Sequence, residues 1–140
     1  TSRYGDPFAL VFIDLNRFKT INDNHGHDAG DRFLSGFAAL LEKTTRDSDR
    51  PGRWGGDEFV VLLPHSAMQG AQQFAERLQD RLGRQSIDIG PVRIVASASI
   101  GIAVHPDDGG NPEALLAHAD QEMYRVKRER DVAASVEVRA

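Results

Sequence analysis

Apolar and polar positions along the chain predict strands and helices in turn. Phe8 to Asp14 is a short, nearly continuous apolar run that ends in a carboxylate, a pattern typical of a strand buried on both faces. Between Asp28 and Glu42 apolar residues recur at helical spacing, which predicts a helix with one buried face. The polar stretch Thr44 to Gly52 ends in Pro-Gly and is expected to form a surface loop.

A hairpin and a second helix are predicted next. Two extended runs, Arg53-Trp54 and Asp57 to Leu63, flank paired glycines, and glycines can adopt the positive φ of a tight turn. Ser66 to Gln69 matches a capping box, and the apolar spacing that follows predicts an amphipathic helix up to Leu82.

The last third of the chain predicts a strand, a helix and a final strand. Val92 to Val104 is rich in Ile, Val and Ser and is expected to be extended, whereas Asn111-Pro112 is a favourable helix start. That helix keeps one apolar face up to Lys127, and Val132 to Val138 is expected to form an edge strand. Strands separated by helices imply an α/β or α+β sheet with helices packed on it.

The composition limits the class of protein. A chain of 140 residues is expected to form a single domain over residues 1–140, with its core at about 8–128. Its net charge of −4 argues against nucleic-acid binding, because domains that bind a phosphate backbone carry a basic excess. No cysteine is present, so metal chemistry must use oxygen or imidazole ligands. The apolar runs are far shorter than the roughly 20 residues of a membrane span, and no membrane insertion is expected.

Two groups of residues have the composition of a site for metal and phosphate. In the first, Asp14 closes the apolar run and is followed by a loop that offers backbone amides and by Lys19. In the second, two glycines precede the adjacent carboxylates Asp57 and Glu58, which point in opposite directions on a strand. At least one of these two carboxylates must therefore face solvent or a ligand.

Each of these features also has an ordinary structural interpretation. Gly-Gly-Asp is an acceptable turn sequence in any hairpin. Asp14 could be a turn carboxylate or a helix cap, Lys19 a solvated cation and His27 a surface histidine. Only their combination points to a function.

Four segments together resemble the GGDEF family of diguanylate cyclases. They are DLNRFKTINDNHGHDAGD from Asp14, RWGGDEF from Arg53, SASIGIA from Ser97 and ADQEMYRVK from Ala119, in the family's order and at its spacing. The resemblance implies an α+β fold with a ferredoxin-like βαββαβ core, a mainly antiparallel sheet flanked by helices, as in nucleotidyl cyclases. The implied reaction condenses two GTP into cyclic di-GMP and releases two pyrophosphates.

The resemblance implies a metal site on three residues. Asp14, Asp57 and the backbone carbonyl of Leu15 would hold Mg²⁺, with Mn²⁺ as an alternative, since hard oxygen ligands suit these ions. Glu58 would either help to ligate the metal or accept the proton of the attacking 3′-hydroxyl, and the sequence leaves both roles open.

The resemblance also implies contacts to the nucleotide. Lys19 and Arg53 match residues that contact phosphate and stabilise the transition state. Asn22 and Asp31 match the guanine-contacting pair, since a carboxylate can accept the N1–H and the exocyclic amine of guanine. The remaining matches are a pocket histidine, an aromatic residue for which core packing is the preferred interpretation, and two cations for the β and γ phosphates: His27, Phe18, Lys127 and Arg130.

An R-x-x-D sequence, Arg46 to Asp49, stands just upstream of the signature. In the family this placement marks an inhibitory site for the product, with a second arginine from the following helix, which is Arg77 here. Arginine suits such a site because its guanidinium can both pair with phosphate and stack on guanine.

Three features depart from the family pattern. Asn16 replaces a second aspartate, which we expect to be tolerated because Asp14 and Asp57 remain. Arg128 to Val132 replaces the usual Gly-Arg-Asn segment, and Arg130 is the candidate substitute. The helix and turn that normally precede the first strand are missing, which suggests a fragment of a longer sensory protein.

The resemblance implies GTP as substrate, cyclic di-GMP as product and a catalytic homodimer of domains that each carry one GTP. Sensory or phosphodiesterase domains are expected in the parent protein, and the domain is expected to be cytoplasmic even if its parent is membrane-anchored. Two alternatives remain open. One is a non-catalytic GGDEF module that binds GTP or cyclic di-GMP to regulate an attached domain, and the other is a purely structural interaction domain.

Overall fold

The computed structural model of the chain describes residues 7–90 and 92–139, and for residues 131–139 only the backbone is considered. Within these ranges the elements follow in the order β1 (Phe8–Leu15), α1 (Phe18–His25), α2 (His27–Thr44), β2 (Arg50–Gly55), β3 (Glu58–Pro64), α3 (Met68–Arg84), β4 (Ile87–Asp88), β5 (Arg93–Ile94), β6 (Ala98–His105) and α4 (Pro112–Arg139). Over the described ranges, no helix combines the length and the apolar character needed to cross a bilayer.

The main sheet has four strands in the order β2-β3-β1-β6, and every neighbouring pair is antiparallel. Together with α2 and α3, this order reproduces the ferredoxin-like βαββαβ core and confirms the predicted α+β class. The strand β1 lies in the middle, which explains why its apolar run is nearly continuous.

Each face of the sheet has its own hydrophobic core. Ala9, Val11 and Ile13 point to the larger core, formed with α1, α2 and α3, whereas Phe12 points to a smaller core with Leu115, Ala119 and Met123 of α4. A side chain at Gly101 would overlap the backbone of Ala119 and Met123, so glycine lets α4 lie directly on β6. This close approach fixes the position of α4 over the sheet.

The segment Val92 to Val104 is two strands instead of the one that was predicted. Ile94 of β5 pairs with Ile87 of β4 in a separate two-stranded sheet, while β6 begins only at Ala98 and pairs with β1. Composition does not distinguish the two strands, because both are apolar and extended and differ only in their distant partners.

The predicted edge strand at Val132 to Val138 is wrong, because these residues continue α4. Between Glu113 and Arg139 there is no glycine or proline to end the helix that Asn111-Pro112 begins. At the start of that helix, Asn111 Oδ1 accepts a hydrogen bond from Ala114 N at 2.8 Å, as the sequence predicts for a capped N-terminus.

The capping box at Ser66 does not form either. The N-cap of α3 is Ala67, with no side-chain cap hydrogen bond, and the Ser66 hydroxyl donates to the carbonyl of Pro64 instead. The predicted surface loop is also shorter than expected, because β2 already begins at Arg50 and pairs with Leu62 of β3.

Candidate active site

Asp14 lies near the end of the central strand, beside both neighbouring strands. Its Cα partners are Glu58 on β3 and Ser99 on β6, and only 5% of the residue is exposed. Lys127 of α4 lies over this end of the sheet, with its Nζ 2.6 Å from Asp14 Oδ2. The lysine charge offsets part of the cost of burying a carboxylate.

The acids of β1 and of the hairpin meet on one side of the sheet. Burial raises the pKa of Asp57, and the charge of Asp14 raises it further. Burial raises the pKa of Glu58 as well, followed by the charges of Asp14, Asp57 and Asp120. Because ionised carboxylates repel each other, this crowding of acids favours the protonated forms of Asp57 and Glu58.

One oxygen of this cluster has no partner of its own. Asp14 Oδ1 is buried and accepts no hydrogen bond, although its second oxygen is held by Lys127. A buried acceptor without a donor, next to a second carboxylate, fits a divalent cation with oxygen ligands. No group of three or more His, Cys, Asp or Glu side chains has a metal-binding arrangement in the part of the chain that is described. A cation at this site would therefore be held by two carboxylates and a backbone oxygen.

The hairpin turn holds Arg53 in a defined position. Its Nε and Nη2 atoms both donate to the carbonyl of Gly56, at 3.1 and 2.7 Å. Neither Gly55 nor Gly56 adopts the positive φ that is open to glycine in a tight turn. A side chain at Gly56 would have no neighbour within 4 Å, so the turn is open to the outside.

A cavity of about 380 Å³ lies between α2 and the β2-β3 hairpin. The charged residues that line it are Asp31, Glu42 and Arg53, and its apolar lining includes Leu34, Ala38, Leu41 and Phe59. An apolar cavity with a few polar groups is typical of a site for a small molecule with a flat, apolar body.

The predicted nucleotide-contacting residues of α1 and of the start of α2 do not line the cavity of Asp31. Asn22 lies against Gly30, where any side chain would overlap its amide oxygen, and Asn22 does not line the cavity of Asp31. Phe18 is half-buried and packs on the larger core, as its structural interpretation predicts. Lys19 and His27 are exposed, and neither makes a hydrogen bond or ion pair with another described residue.

Asn16, which departs from the family pattern, has its own structural role. Its Nδ2 donates to Ser97 Oγ and its Oδ1 accepts from Ser99 Oγ, both at 2.9 Å. Asparagine offers a donor and an acceptor to the two serines, whereas an ionised aspartate offers only acceptors. The segment SASIG therefore holds the loop that follows β1.

Arg130 lies apart from Asp14. Its Nη2 is 3.5 Å from Ser97 Oγ, and it lines a second cavity of about 340 Å³ together with Arg17 and His25. Arg17 has a left-handed backbone, with φ of 66°, at the start of α1.

The three residues predicted to bind product do come together. Arg46, Asp49 and Arg77 line a cavity of about 230 Å³ between the R-x-x-D turn and α3. Two further residues were not predicted: Ser66, which contacts Arg46, and Asp120, whose charge acts on Glu58. Asp120 lies seven residues before Lys127 on the same helix, a spacing that could have indicated it.

The antiparallel sheet and the acids at the end of its inner strands define a nucleotidyl-cyclase-like α+β domain. A family profile described as "Diguanylate cyclase, GGDEF domain" matches residues 1–132. The chain is 39% identical over 125 residues to response regulator PleD of Caulobacter vibrioides, which covers 88% of the chain and 28% of that protein. The chain therefore belongs to the GGDEF family.

Other relatives agree with this assignment. Over 120 residues the chain is 40% identical to the bifunctional diguanylate cyclase/cyclic di-GMP phosphodiesterase MucR of Pseudomonas aeruginosa, which covers 86% of the chain and 17% of MucR. The GGDEF domain of YfiN (TpbB) from the same organism superposes with a TM-score of 0.84 at 39% identity, covering 88% of this chain and 77% of that one. The chain thus spans less than a third of the length of the two full-length relatives.

Proposed function

We propose that this chain is a catalytic diguanylate cyclase domain that joins two GTP into cyclic di-GMP. The observation that supports it most is the convergence of Asp14, Asp57 and Glu58 beside Lys127 at one end of the sheet. A domain that had lost catalysis would not need to keep three carboxylates together, because their repulsion destabilises the fold.

In this proposal Asp14, Asp57 and the carbonyl of Leu15 hold Mg²⁺, with Mn²⁺ as an alternative. When bound, the ion neutralises phosphate charge and polarises the α-phosphorus of GTP. Lys127 holds Asp14 Oδ2 through their 2.6 Å contact and so fixes the orientation of the carboxylate, which leaves Oδ1 to act as a ligand.

Glu58 and Arg53 act on the reacting nucleotide. The raised pKa of Glu58 suits it to accept the proton of the attacking 3′-hydroxyl, although a role as metal ligand is equally compatible with its position. Arg53, held by Gly56, presents a fixed guanidinium to phosphate beside the cavity, and Lys19, Lys127 and Arg130 are further candidates for phosphate contacts.

The same cavity selects guanine. Asp31 on its wall would accept the N1–H and the exocyclic amine of the base. Asn22, which contacts Gly30 next to Asp31 in the sequence, is its proposed partner, and His27 is a further candidate. Adenine offers no such pair of donors, so we expect GTP to be preferred to ATP.

The chemistry requires two copies of the domain. The 3′-oxygen of one GTP forms a bond to the α-phosphorus of the other, and the bond to pyrophosphate breaks. This step occurs twice to close the ring, so two domains must face each other as a homodimer.

Cyclic di-GMP is proposed to bind at Arg46, Asp49 and Arg77 and to inhibit the reaction. We place the domain in a longer cytoplasmic or membrane-anchored parent with sensory or phosphodiesterase domains.

The direct test is incubation of the purified chain with Mg²⁺ and either GTP or ATP, followed by chromatography of the products. We expect cyclic di-GMP from GTP alone, no product from Asp57→Asn, and normal turnover from Asp107→Asn, which removes an exposed carboxylate far from the cluster in sequence. Equal turnover by Asp57→Asn would remove Asp57 from catalysis. GTP binding without any product at high protein concentration would favour the non-catalytic module.

A further inference from the structure

The R-x-x-D turn is closed by its own residues. Asp49 N donates to the carbonyl of Arg46 at 3.0 Å, and Arg46 N donates to Asp49 Oδ2 at 2.8 Å. The second carboxylate oxygen, Oδ1, accepts from Arg46 Nη2 at 3.3 Å, and the Asp49 side chain is 0% exposed. Both oxygens of Asp49 therefore accept hydrogen bonds from Arg46.

Arg46 is held a second time, by a residue far away in sequence. Ser66, in the loop between β3 and α3, is buried, and its Oγ accepts a hydrogen bond from Arg46 Nη2 at 3.3 Å. The same hydroxyl donates to the carbonyl of Pro64 at 3.2 Å, which directs its lone pairs towards the guanidinium. The Arg46 side chain is 58% exposed, so its tip is fixed while its surface remains open to the cavity.

We propose that Ser66, together with Asp49, clamps the Arg46 guanidinium in position for cyclic di-GMP, and that Ser66 does so without contacting the ligand. The inference rests on the proposed product inhibition and adds a residue to that site: Arg46, Asp49 and Arg77 are the proposed ligand residues, and Ser66 acts through Arg46. A guanidinium that is already ordered loses less conformational entropy on binding than a free one, which increases affinity. Ser66 is thus a positioning residue of the regulatory site.

A double-mutant cycle separates positioning from direct contact. The dissociation constant for cyclic di-GMP would be measured by calorimetry for the wild type, Ser66→Ala, Arg46→Ala and the double variant. Loss of one hydrogen bond corresponds to about 1 kcal/mol, or about fivefold weaker binding, for Ser66→Ala. Because Ser66 acts through Arg46, the double variant should bind no more weakly than Arg46→Ala alone.

Two control variants distinguish a loss of Arg46 positioning from a folding defect. Ser66→Thr keeps the hydroxyl, has room beside Gly70, which lacks a side chain, and should restore most of the affinity. Ser86→Ala changes an exposed serine after α3 and should leave the dissociation constant unchanged. A purely structural defect in Ser66→Ala would lower the melting temperature and weaken GTP binding along with cyclic di-GMP binding.

Distinct outcomes overturn the clamp and the product site. Additive losses in the double variant would show that Ser66 contacts the ligand, and an unchanged affinity in Ser66→Ala would show that Arg46 needs no clamp. If Arg46→Ala binds cyclic di-GMP as tightly as the wild type, the product site itself is wrong, and the clamp with it. None of these results depends on cyclase activity.

Discussion

Asp14 is a buried carboxylate with only one of its two oxygens paired. Its strand places it between two others, Lys127 satisfies one of its oxygens, and the other accepts no hydrogen bond. Asp57 and Glu58 add negative charge beside it. A cluster of this kind destabilises the ligand-free fold, which is a usual cost of a preorganised site.

The first residue-scale prediction concerns stability. The raised pKa of Asp57 means that the protonated form favours folding, so its contribution is present at low pH and is lost as pH rises from the ordinary value of 3.8 through the raised one. Asp57→Asn should therefore raise the melting temperature near neutral pH by at most about 2–4 °C, because solvent screening of this partly exposed carboxylate limits the gain to about 1 kcal/mol or less. Thermal unfolding of the variant and the wild type in buffer without divalent cations measures this difference in melting temperature.

The pH dependence provides the control for this prediction. The difference between variant and wild type should shrink as pH falls through the raised pKa of Asp57, because the wild-type carboxyl then becomes neutral like the amide. A melting temperature of Asp57→Asn at or below that of the wild type near pH 7 would mean that the acids do not repel each other in the folded chain.

At the scale of the element, α4 decides whether Lys127 reaches Asp14. The helix rests on β6 at Gly101, and Ala119 and Met123 pack into the smaller core two turns and one turn before the lysine. A packing contact at Gly101, outside the acid cluster, therefore sets the position of the cation that pairs with Asp14.

Replacement of Gly101 tests this dependence. Gly101→Ala should destabilise the domain by about 1–3 kcal/mol, since its methyl group would overlap the backbone of α4 and push the helix away. Gly83→Ala is the matched control: it lies in α3 with no neighbour within 4 Å of an added side chain, and should stabilise by about 0.4–1 kcal/mol. Urea unfolding of both variants measures the two effects. Equal stability of Gly101→Ala and wild type would contradict the close approach.

At the scale of the whole molecule, each domain contributes one cluster of Asp14, Asp57 and Glu58 and one proposed guanine cavity, whereas the proposed product contains two nucleotides. Trp54, next to the hairpin turn, remains 56% exposed although its ring meets the edge of Phe12. We expect this exposed aromatic side chain to be available to a second copy in the proposed dimer.

The requirement for two copies predicts how activity depends on concentration. Specific activity, measured as cyclic di-GMP formed per amount of protein, should rise with protein concentration until the dimer is saturated. Asp57→Asn protein added in excess should not substitute for active partners. Constant specific activity on dilution of a monomeric preparation would contradict the dimer mechanism.

Local patterns in the sequence were sufficient for much of this protein. The apolar run to Asp14, the glycine-containing hairpin and the helical spacing of α2 predicted their elements, because each depends on residues close in the chain. The motif order also predicted the GGDEF family. The errors fell at the loop expected over Thr44 to Gly52, at Ser66, at Val92 to Val104 and at Val132 to Val138, where the local pattern fits more than one structure.

The tertiary structure alone decided which polar groups meet. Asn16 and Ser97 are 81 residues apart, and Asp14 and Lys127 are 113 apart, so no local pattern could pair them. Asp49 reads as an exposed carboxylate in a polar loop, yet its turn buries it completely. The sequence by itself determines periodicity and the chemistry of each side chain, whereas sheet register and helix packing determine burial and long-range partners, because these arise only when distant segments are brought together.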